Sequence, residues 1–405
     1  MSGHELRPVR PDEVDAHLEA TVDAFYDELH PDTRVLWARE CEPERTLDVF
    51  AAGEIVATSG LLTRELTVPG ATVPMAGVTS VGVRADHRRQ GLLDRMMRGQ
   101  LEAVHERGVE TVAALWASEA VIYGRYGFGL AARAADLTVR SPQARVRGLP
   151  GGELPPPRLT DPGAVAHELA AVHDAIRPTR PGMLARGEGE WGLRLADLEH
   201  ERAGRGPLRA TLVDGGYALF AVRTARTDEG LPAGVVDVRE LLAATPAAAA
   251  ALWSFLLGLE LTRSVRWQLA PSDEPLPHLL TDARAVSARI ADSLWLRLVD
   301  VARALAERTY AGPLDVVLDV ADDVCPDNAR RLRLAGDRTG ATCEPTAAAP
   351  DLSLTVAELG AVHLGGTPLG VLAAAGRVDE HTPGAVAAAD TAFRGAREPW
   401  CPESF

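Results

Sequence analysis

Apolar residues along this chain of 405 residues change their spacing several times, and each change marks an element. A short apolar strand near Leu6 is followed by DEVDAHLEATVDAFYDEL, where Val14, Leu18, Val22 and Phe25 with Tyr26 recur at helical spacing and Asp12 is placed to cap the helix. The stretch TLDVFAAGEIVATSGLLTRELTVPGATVPMAGVTSVGV reads as consecutive antiparallel strands, turning at Ala52-Gly53 and at Pro69-Gly70. A helix with an apolar face of Leu93, Met97, Leu101 and Val104 comes next and ends at Gly108, and a second strand runs from Val109 to Trp116.

The passage SPQARVRGLPGGELPPPRL is rich in proline and glycine and reads as a linker. Beyond it, helical runs (DPGAVAHELAAVHDAI, EGEWGLRLADLEHERA) alternate with strands (RATLVD, YALFAVRTA, GVVDVREL), followed by a helix TPAAAAALWSFLLGL and a strand SVRWQLA. That order echoes the first segment. From Asp292, SLWLRLVDVARALAERTYAG reads as an amphipathic helix. PLDVVLDVAD, RRLRLAG, ATCEPT and PDLSLTV read as strands, and VAELGAVHLGG, TPLGVLAAAGRV and PGAVAAADTAFRG as helices. This last region is expected to be a small α+β domain whose apolar helices are suited to line a pocket. Three domains follow from the pattern and the length, at 1–144, 145–290 and 291–405.

The net charge of -15 disfavours nucleic acid, whose phosphates demand a basic surface. It favours cationic molecules as partners, or simply keeps the protein soluble. No uninterrupted apolar run reaches the roughly 18 residues of a membrane span, and MSGHELRPVRPDEV lacks a signal-peptide core, so the expected location is the cytoplasm. Cys41, Cys325, Cys343 and Cys401 are scattered, without the spacing of a zinc site or a disulfide framework; reduced thiols and no metal are expected. Every basic residue is arginine, so the chain has no lysine side chain of its own to modify.

Between the strand ending near Val83 and the following helix lies Arg88-Arg89-Gln90-Gly91-Leu92-Leu93. A glycine turn there exposes backbone N–H groups at a helix N-terminus, an anion site fit for a pyrophosphate, although an ordinary basic loop capped by glycine reads the same in isolation. Past the second strand come Ser118-Glu119, Tyr123 and Gly127-Phe128. In the second region only RELLAATPAAA joins Val238 to its helix, so a copy of the first fold there lacks the phosphate grip. His87 and His105 read as surface residues, and no Ser-His-Asp or metal-ligand spacing competes.

This order of elements resembles motifs A and B of the GCN5-related N-acetyltransferases, with Tyr123-x-x-x-Gly127-Phe128 fitting the later signature and Leu93 departing from the usual small residue of the turn. The strings AGVTSVGV, HRRQGLLDRMM, ASEAVIYGRYGFG, PLPHLLTDAR and SLWLRLVDV are more closely similar to the Eis (enhanced intracellular survival) acetyltransferases, in which Leu is usual at that place, and they spread over nearly the whole chain. The resemblance implies an α+β protein with two tandem GCN5-related acetyltransferase folds, the second degenerate, followed by a sterol-carrier-protein-like domain, assembled as a homo-hexamer. It implies acetyl-CoA as co-substrate, with backbone groups of Val81, Gly82 and Val83 on the pantetheine arm, Arg88 and Arg89, Gln90, Gly91, Leu92, Leu93 and Asp94 around the pyrophosphate, and Ser118 and Glu119 at the acetyl end.

In acetyl transfer the amine attacks the thioester carbonyl and the sulfur leaves as a thiolate that a phenol within reach can protonate. The resemblance gives that role to Tyr123, with Tyr126 as rival. It gives the role of base to the terminal carboxylate of Phe405, which on residues alone reads as a frayed tail. Phe25, Asp27 and Trp37, beside Tyr26, fall where relatives line the acceptor pocket, unless Phe25 and Trp37 only pack helices on the sheet. Aromatic walls and a carboxylate suit a cationic small-molecule amine, aminoglycoside-like or polyamine, and relatives with wide, divided pockets acetylate more than one position. Ser404 stands where a relative can carry an acidic residue. Two other functions stay open at this point: acetylation of lysine in peptides or a partner protein, and carriage of an apolar ligand with a vestigial acetyltransferase domain.

Overall fold

The computed structural model describes residues 3–148 and 154–405, so residues 149–153 of the expected linker lie outside the described residues. Strand β1 (His4–Arg7) leads through a 3-10 turn, Pro11–Glu13, into α1 (Val14–Ala24). The residue at the cap of α1 is Glu13, whose carboxylate reaches back to accept the Arg10 N–H at 2.8 Å, while Asp12, the expected cap, lies within the preceding turn. After α2 (Pro31–Glu40), strands β2 (Asp48–Ala51), β3 (Glu54–Val68) and β4 (Ala71–Val83) form the expected antiparallel ladder, with Ala52, Gly53 and Gly70 at positive φ in the turns. The chain continues through α3 (Leu92–Arg107), β5 (Val112–Trp116), α4 (Ala120–Tyr123) and β6 (Gly129–Leu130).

The next strand, β7 (Arg133–Arg140), leaves the first sheet for a second one. That sheet is built from β8 (Arg158–Thr160), β9 (Arg209–Val213), β10 (Gly216–Arg223), β11 (Gly234–Ala243), β12 (Thr262–Pro271) and β13 (Val286–Asp292), in the order β13-β7-β12-β11-β10-β9-β8. Helices α5 (Ala166–Ile176), α6 (Glu188–Leu195), α7 (Pro246–Leu257) and α8 (Leu276–Leu279) accompany it. Strands β11 and β12 run parallel around α7, as β4 and β5 do around α3, which makes the second region a repeat of the first.

Strand β14 (Leu294–Leu298) then returns to the first sheet and inserts between β5 and β6, giving the order β1-β2-β3-β4-β5-β14-β6. This corrects the expected amphipathic helix from Ser293: only Val301–Ala306, α9, is helical. Leu294, Leu296 and Leu298 are fully buried and alternate with Trp295 and Arg297, a period of two that the slot between β5 and β6 selects over helical propensity. Strands β15 (Leu314–Ala321), β16 (Arg331–Asp337), β17 (Gly340–Pro345) and β18 (Leu352–Thr355), helices α10 (Val356–Val362) and α11 (Leu369–Ala374), strand β19 (Asp379–Glu380) and helix α12 (Ala385–Phe393) complete an α+β domain. Helix α10 is buried along its whole length against β14 and β6, so one apolar core joins Met75 of β4, Leu296 of β14, Leu318 of β15 and Leu359 of α10.

A buried ion pair crosses this junction. Arg297 holds Asp322 at 2.7 and 2.9 Å and donates to the Tyr126 carbonyl at 2.6 Å. Gly127, the next residue, has φ +81°, and a side chain there would run into the Arg297 guanidinium and Val356. The glycine of the Tyr-x-x-x-Gly-Phe signature is therefore fixed by backbone geometry and by the fully buried arginine beneath it. Gly127→Ala is expected to destabilise by roughly 2–4 kcal/mol from left-handed strain plus overpacking, read as a lowered thermal midpoint in scanning calorimetry; an unchanged midpoint would refute this packing account.

Candidate active site

Strands β4 and β5 share only three parallel pairs, Met75 to Gly77 with Val112 to Ala114, and then part. The residues of β4 past Gly77 stay paired to β3 on one edge, through a bulge between Thr58 and Gly60 where Ser80 takes a φ of 55°, and turn their other edge to the opening. An unpaired strand edge with alternating N–H and C=O groups is what an extended, amide-bearing ligand needs. Val81 lines the resulting cavity. Gly82 and Val83 pair with Thr58 and Ala57, and Gly82 sits where a Cβ would come within 2.7 Å of Ala24 at the end of α1.

At the far end of β4 the turn behaves as its composition suggests. Arg89 and Gly91 adopt positive φ (62° and 77°), and among the described residues no side chain caps α3. Arg88, Arg89 and Gln90 are exposed; Arg88 also donates to the Val83 carbonyl at 3.2 Å. Leu92 is buried as the anchor of α3, Leu93 is half-buried, and the exposed Asp94 pairs with Arg98 at 3.1 Å. The side chains of Leu92 and Leu93 thus hold the helix down, and only their backbone can serve an anion.

The cavity between the parted strands and helices α1 and α2 has a volume of about 640 Å³. Tyr123, Ser118, Phe25, Asp27, Trp37, Ser404 and Phe405 all line it, whereas Tyr26 and Glu119 do not. Phe25 and Trp37 are 49% and 39% exposed, so they are walls of the opening and not core residues. Burial pushes the Tyr123 phenol above its ordinary value, opposed by a contact with Ser118 and reinforced by the charge of Glu119, so the group is an intact acid at neutral pH. Tyr126 is buried away from the cavity with its phenol toward Asp94. His87 and His105 are only partly buried, and His105 lies against the Val299 carbonyl at 3.2 Å, away from the cavity.

The C-terminus reaches this cavity along a tail that is pinned at successive points. The Trp400 indole donates to the Leu269 carbonyl at 2.7 Å, and its backbone N–H to that of Pro181 at 2.9 Å. Arg194 donates to the Pro402 carbonyl at 2.7 Å, and Arg186 holds Glu403 at 2.5 Å. The Phe405 ring then lies on β4, where a Cβ on Gly77 would be 3.2 Å from it. A frayed tail is not what these contacts describe.

Further wall residues carry no spacing signal in the sequence: His17 of α1, Glu40 and Cys41 at the end of α2, Glu42, Arg64 of β3 and Trp116. Arg64 is paired with Glu40 at 2.8 Å and Glu190 at 3.0 Å. Burial and the neighbouring Asp48, Glu44 and Glu42 push the Cys41 thiol up to about 11. Arg64, Leu193, Ser404 and Phe405 also line a second hollow of about 290 Å³, so the opening is divided. Among the described residues, His30, Asp32 and His200 are the group whose ligand atoms converge closely enough for a metal ion, on the exposed surface. No described helix is long and apolar enough to cross a membrane.

Residues 5–131 match the family model of an acetyltransferase (GNAT) domain, residues 182–298 a second model of the same description, and residues 301–402 a sterol carrier protein domain. An uncharacterized N-acetyltransferase of Streptomyces avermitilis is 41% identical over 99% of both chains. The N-acetyltransferase Eis of Mycobacterium tuberculosis is 37% identical, covering 88% of each chain. The crystal structure of Eis1 from Mycobacterium abscessus superposes with a TM-score of 0.87 at 33% identity, over 99% of this chain and 100% of that one. Two acetyltransferase folds in tandem, a sterol-carrier-type domain and a full-length match at this identity place the chain in the Eis family of GCN5-related N-acetyltransferases.

Proposed function

We propose that this acetyltransferase moves an acetyl group from acetyl-CoA directly to amino groups of cationic small molecules, aminoglycoside-like or polyamine, and at more than one position. The observation that carries this reading is the charge of the larger hollow: beyond the paired Glu40 and Arg64, Asp27, Glu42 and the terminal residue Phe405 line it, whereas in the smaller hollow Arg64, Arg186, Arg194 and Arg239 face Glu190, Glu201, Glu403 and the same terminus. Such a wall attracts ammonium groups, and Phe25 and Trp37 offer faces for them.

The parted edge of β4 and the uncapped start of α3 fit the amide arm and the pyrophosphate of acetyl-CoA, which supplies the thioester carbonyl when bound. The residues of the chain then divide the proton work. The Phe405 carboxylate accepts a proton from the incoming ammonium, restoring the lone pair that attacks. Tyr123 gives its phenol proton to the departing sulfur as the C–S bond breaks, and the second proton shed by the nitrogen as the amide forms restores the phenol. Cys41 is the one cysteine on the wall, and a thiol held near 11 offers too little thiolate at neutral pH to carry an acetyl group, which favours transfer in a ternary complex.

The test is release of coenzyme A thiol over a panel of aminoglycosides, polyamines and lysine peptides; preference for lysine peptides, or no turnover at all, would overturn the acceptor reading. Tyr123→Phe is expected to lower kcat by about 10²- to 10³-fold, while Tyr126→Phe stays within several-fold, in steady-state assays with the best acceptor. Adding two glycines after Phe405 moves the carboxylate away and is expected to lower kcat by about 10²-fold with the KM for acetyl-CoA unchanged. Cys41→Ser is expected to keep its activity, and intact-mass spectrometry of the wild type with acetyl-CoA alone is expected to show no acetyl-enzyme.

A further inference from the structure

A buried residue at the cavity wall and the carboxylate behind it have no role in the scheme above. His17 lies on α1 with Leu18, Thr21 and Val22, all lining the cavity, and its ring is 2% exposed. Its Nδ1 lies 2.8 Å from Oδ2 of Asp48, a fully buried carboxylate at the start of β2 whose Oδ1 accepts the Ser59 N–H at 3.2 Å. Thr21 donates its hydroxyl to the His17 carbonyl at 2.9 Å, which fixes the helix turn carrying the ring.

A carboxylate can only accept, so Nδ1 carries the proton, and in the neutral ring Nε2 is the lone-pair atom. Among the described residues Nε2 has no hydrogen-bond partner, and it is not one of the polar atoms sealed without one, so it opens on the cavity that the ring lines. A buried Asp–His pair is a costly way to build a wall whose α1 neighbours, Leu18 and Val22, are apolar. The arrangement gives the acceptor cavity one oriented hydrogen-bond acceptor, backed by a negative charge.

We propose that His17 is a specificity-determining residue of the acceptor cavity: its Nε2, fixed as a lone-pair acceptor by the positioning residue Asp48, takes a hydrogen bond from a second amino or hydroxyl group of the acceptor. This rests on the polyamine or aminoglycoside reading of the cavity. The group that His17 holds is not the one acetylated, so the contact is made equally before and during transfer and acts on KM and not on kcat.

Kanamycin, which carries several donors, and benzylamine, with a single amine, are the probes. Asp48→Asn keeps the volume and the Ser59 contact, but its amide donates to Nδ1 and moves the ring proton to Nε2, turning the acceptor into a donor. It is expected to raise the KM for kanamycin about tenfold, with kcat within twofold and benzylamine unaffected. His17→Gln, which can present an amide oxygen, is expected to recover part of the loss. In ¹⁵N-histidine spectra, with the His17 signal identified by its loss in His17→Gln, Nε2 is expected to be unprotonated and to shift on saturation with kanamycin. Equal KM changes for both amines, or a ring signal that kanamycin does not move, would overturn the inference. If no amine is acetylated, the acceptor reading falls by that assay, and the ring signal still decides the binding role of His17.

Discussion

One buried arginine anchors the tail that closes the wall of the cavity. Arg186 pairs with Glu240 at 2.5 and 2.9 Å and with Glu403 at 2.5 Å, lies 4.9 Å over the Trp191 ring, and shares Glu240 with the Tyr217 hydroxyl at 2.5 Å. Burial alone would raise the Glu240 carboxyl, but Arg186 and Arg194 outweigh it and hold the group below the usual carboxylate range. A carboxyl depressed in this way stabilises the fold above its unfolded value, and that contribution is lost only as pH falls through the depressed one. The network therefore stays charged across the neutral range. Removing a single partner would strand a desolvated charge, at a cost of roughly 3–5 kcal/mol. Without it the last three residues lose the contact that directs them toward the first domain.

The second acetyltransferase fold explains why such an anchor is possible. Its strands β11 and β12 also part, after Val238 pairs with Trp267. Past that point Glu240 of β11 takes Arg186, and Leu269 of β12 takes the Trp400 indole. The Trp400 ring packs edge-on to Trp267 at 6.0 Å. The helix after β11 begins at Thr245, whose hydroxyl accepts the Ala248 N–H at 3.1 Å, whereas α3 is left uncapped after Gly91. The parting of strands that leaves a cavity in the first copy takes the protein's own tail in the second, and the helix N-terminus that no described side chain caps in the first is capped by Thr245 in the second.

What the sequence made legible was whatever is encoded over short spacing. The strand-turn-helix with Gly91, the Tyr123 signature and the lost grip before α7 are each contained within about thirty residues, and periodicity and turn chemistry read them directly. Strands β7 and β14 were not legible in their places. Their partners lie more than a hundred residues away, β7 with β12 and β14 with β5, and β14 inserts between strands that are themselves separated by only one short helix. Leu294, Trp295, Leu296 and Arg297 satisfy a helical window as well as an alternating one, and only the slot between β5 and β6 decides.

The acceptor wall was legible only in part, for a related reason. Phe25, Asp27 and Trp37 fall on one short segment, but His17, Glu40, Arg64 and Phe405 come from α1, α2, β3 and the last residue of the chain. No spacing rule connects them. On the proposed function the donor half of the site is built from neighbours in sequence, and its motif is a backbone geometry: two strands that part, a left-handed glycine, an uncapped helix. The acceptor half is built from side chains brought together by the sheet and by the tail. It follows that substitutions on α1, α2 and the tail can alter which amine is accepted while leaving the donor geometry of β4 and α3 intact, because the two halves share little more than the edge of β4 and the Tyr123 phenol.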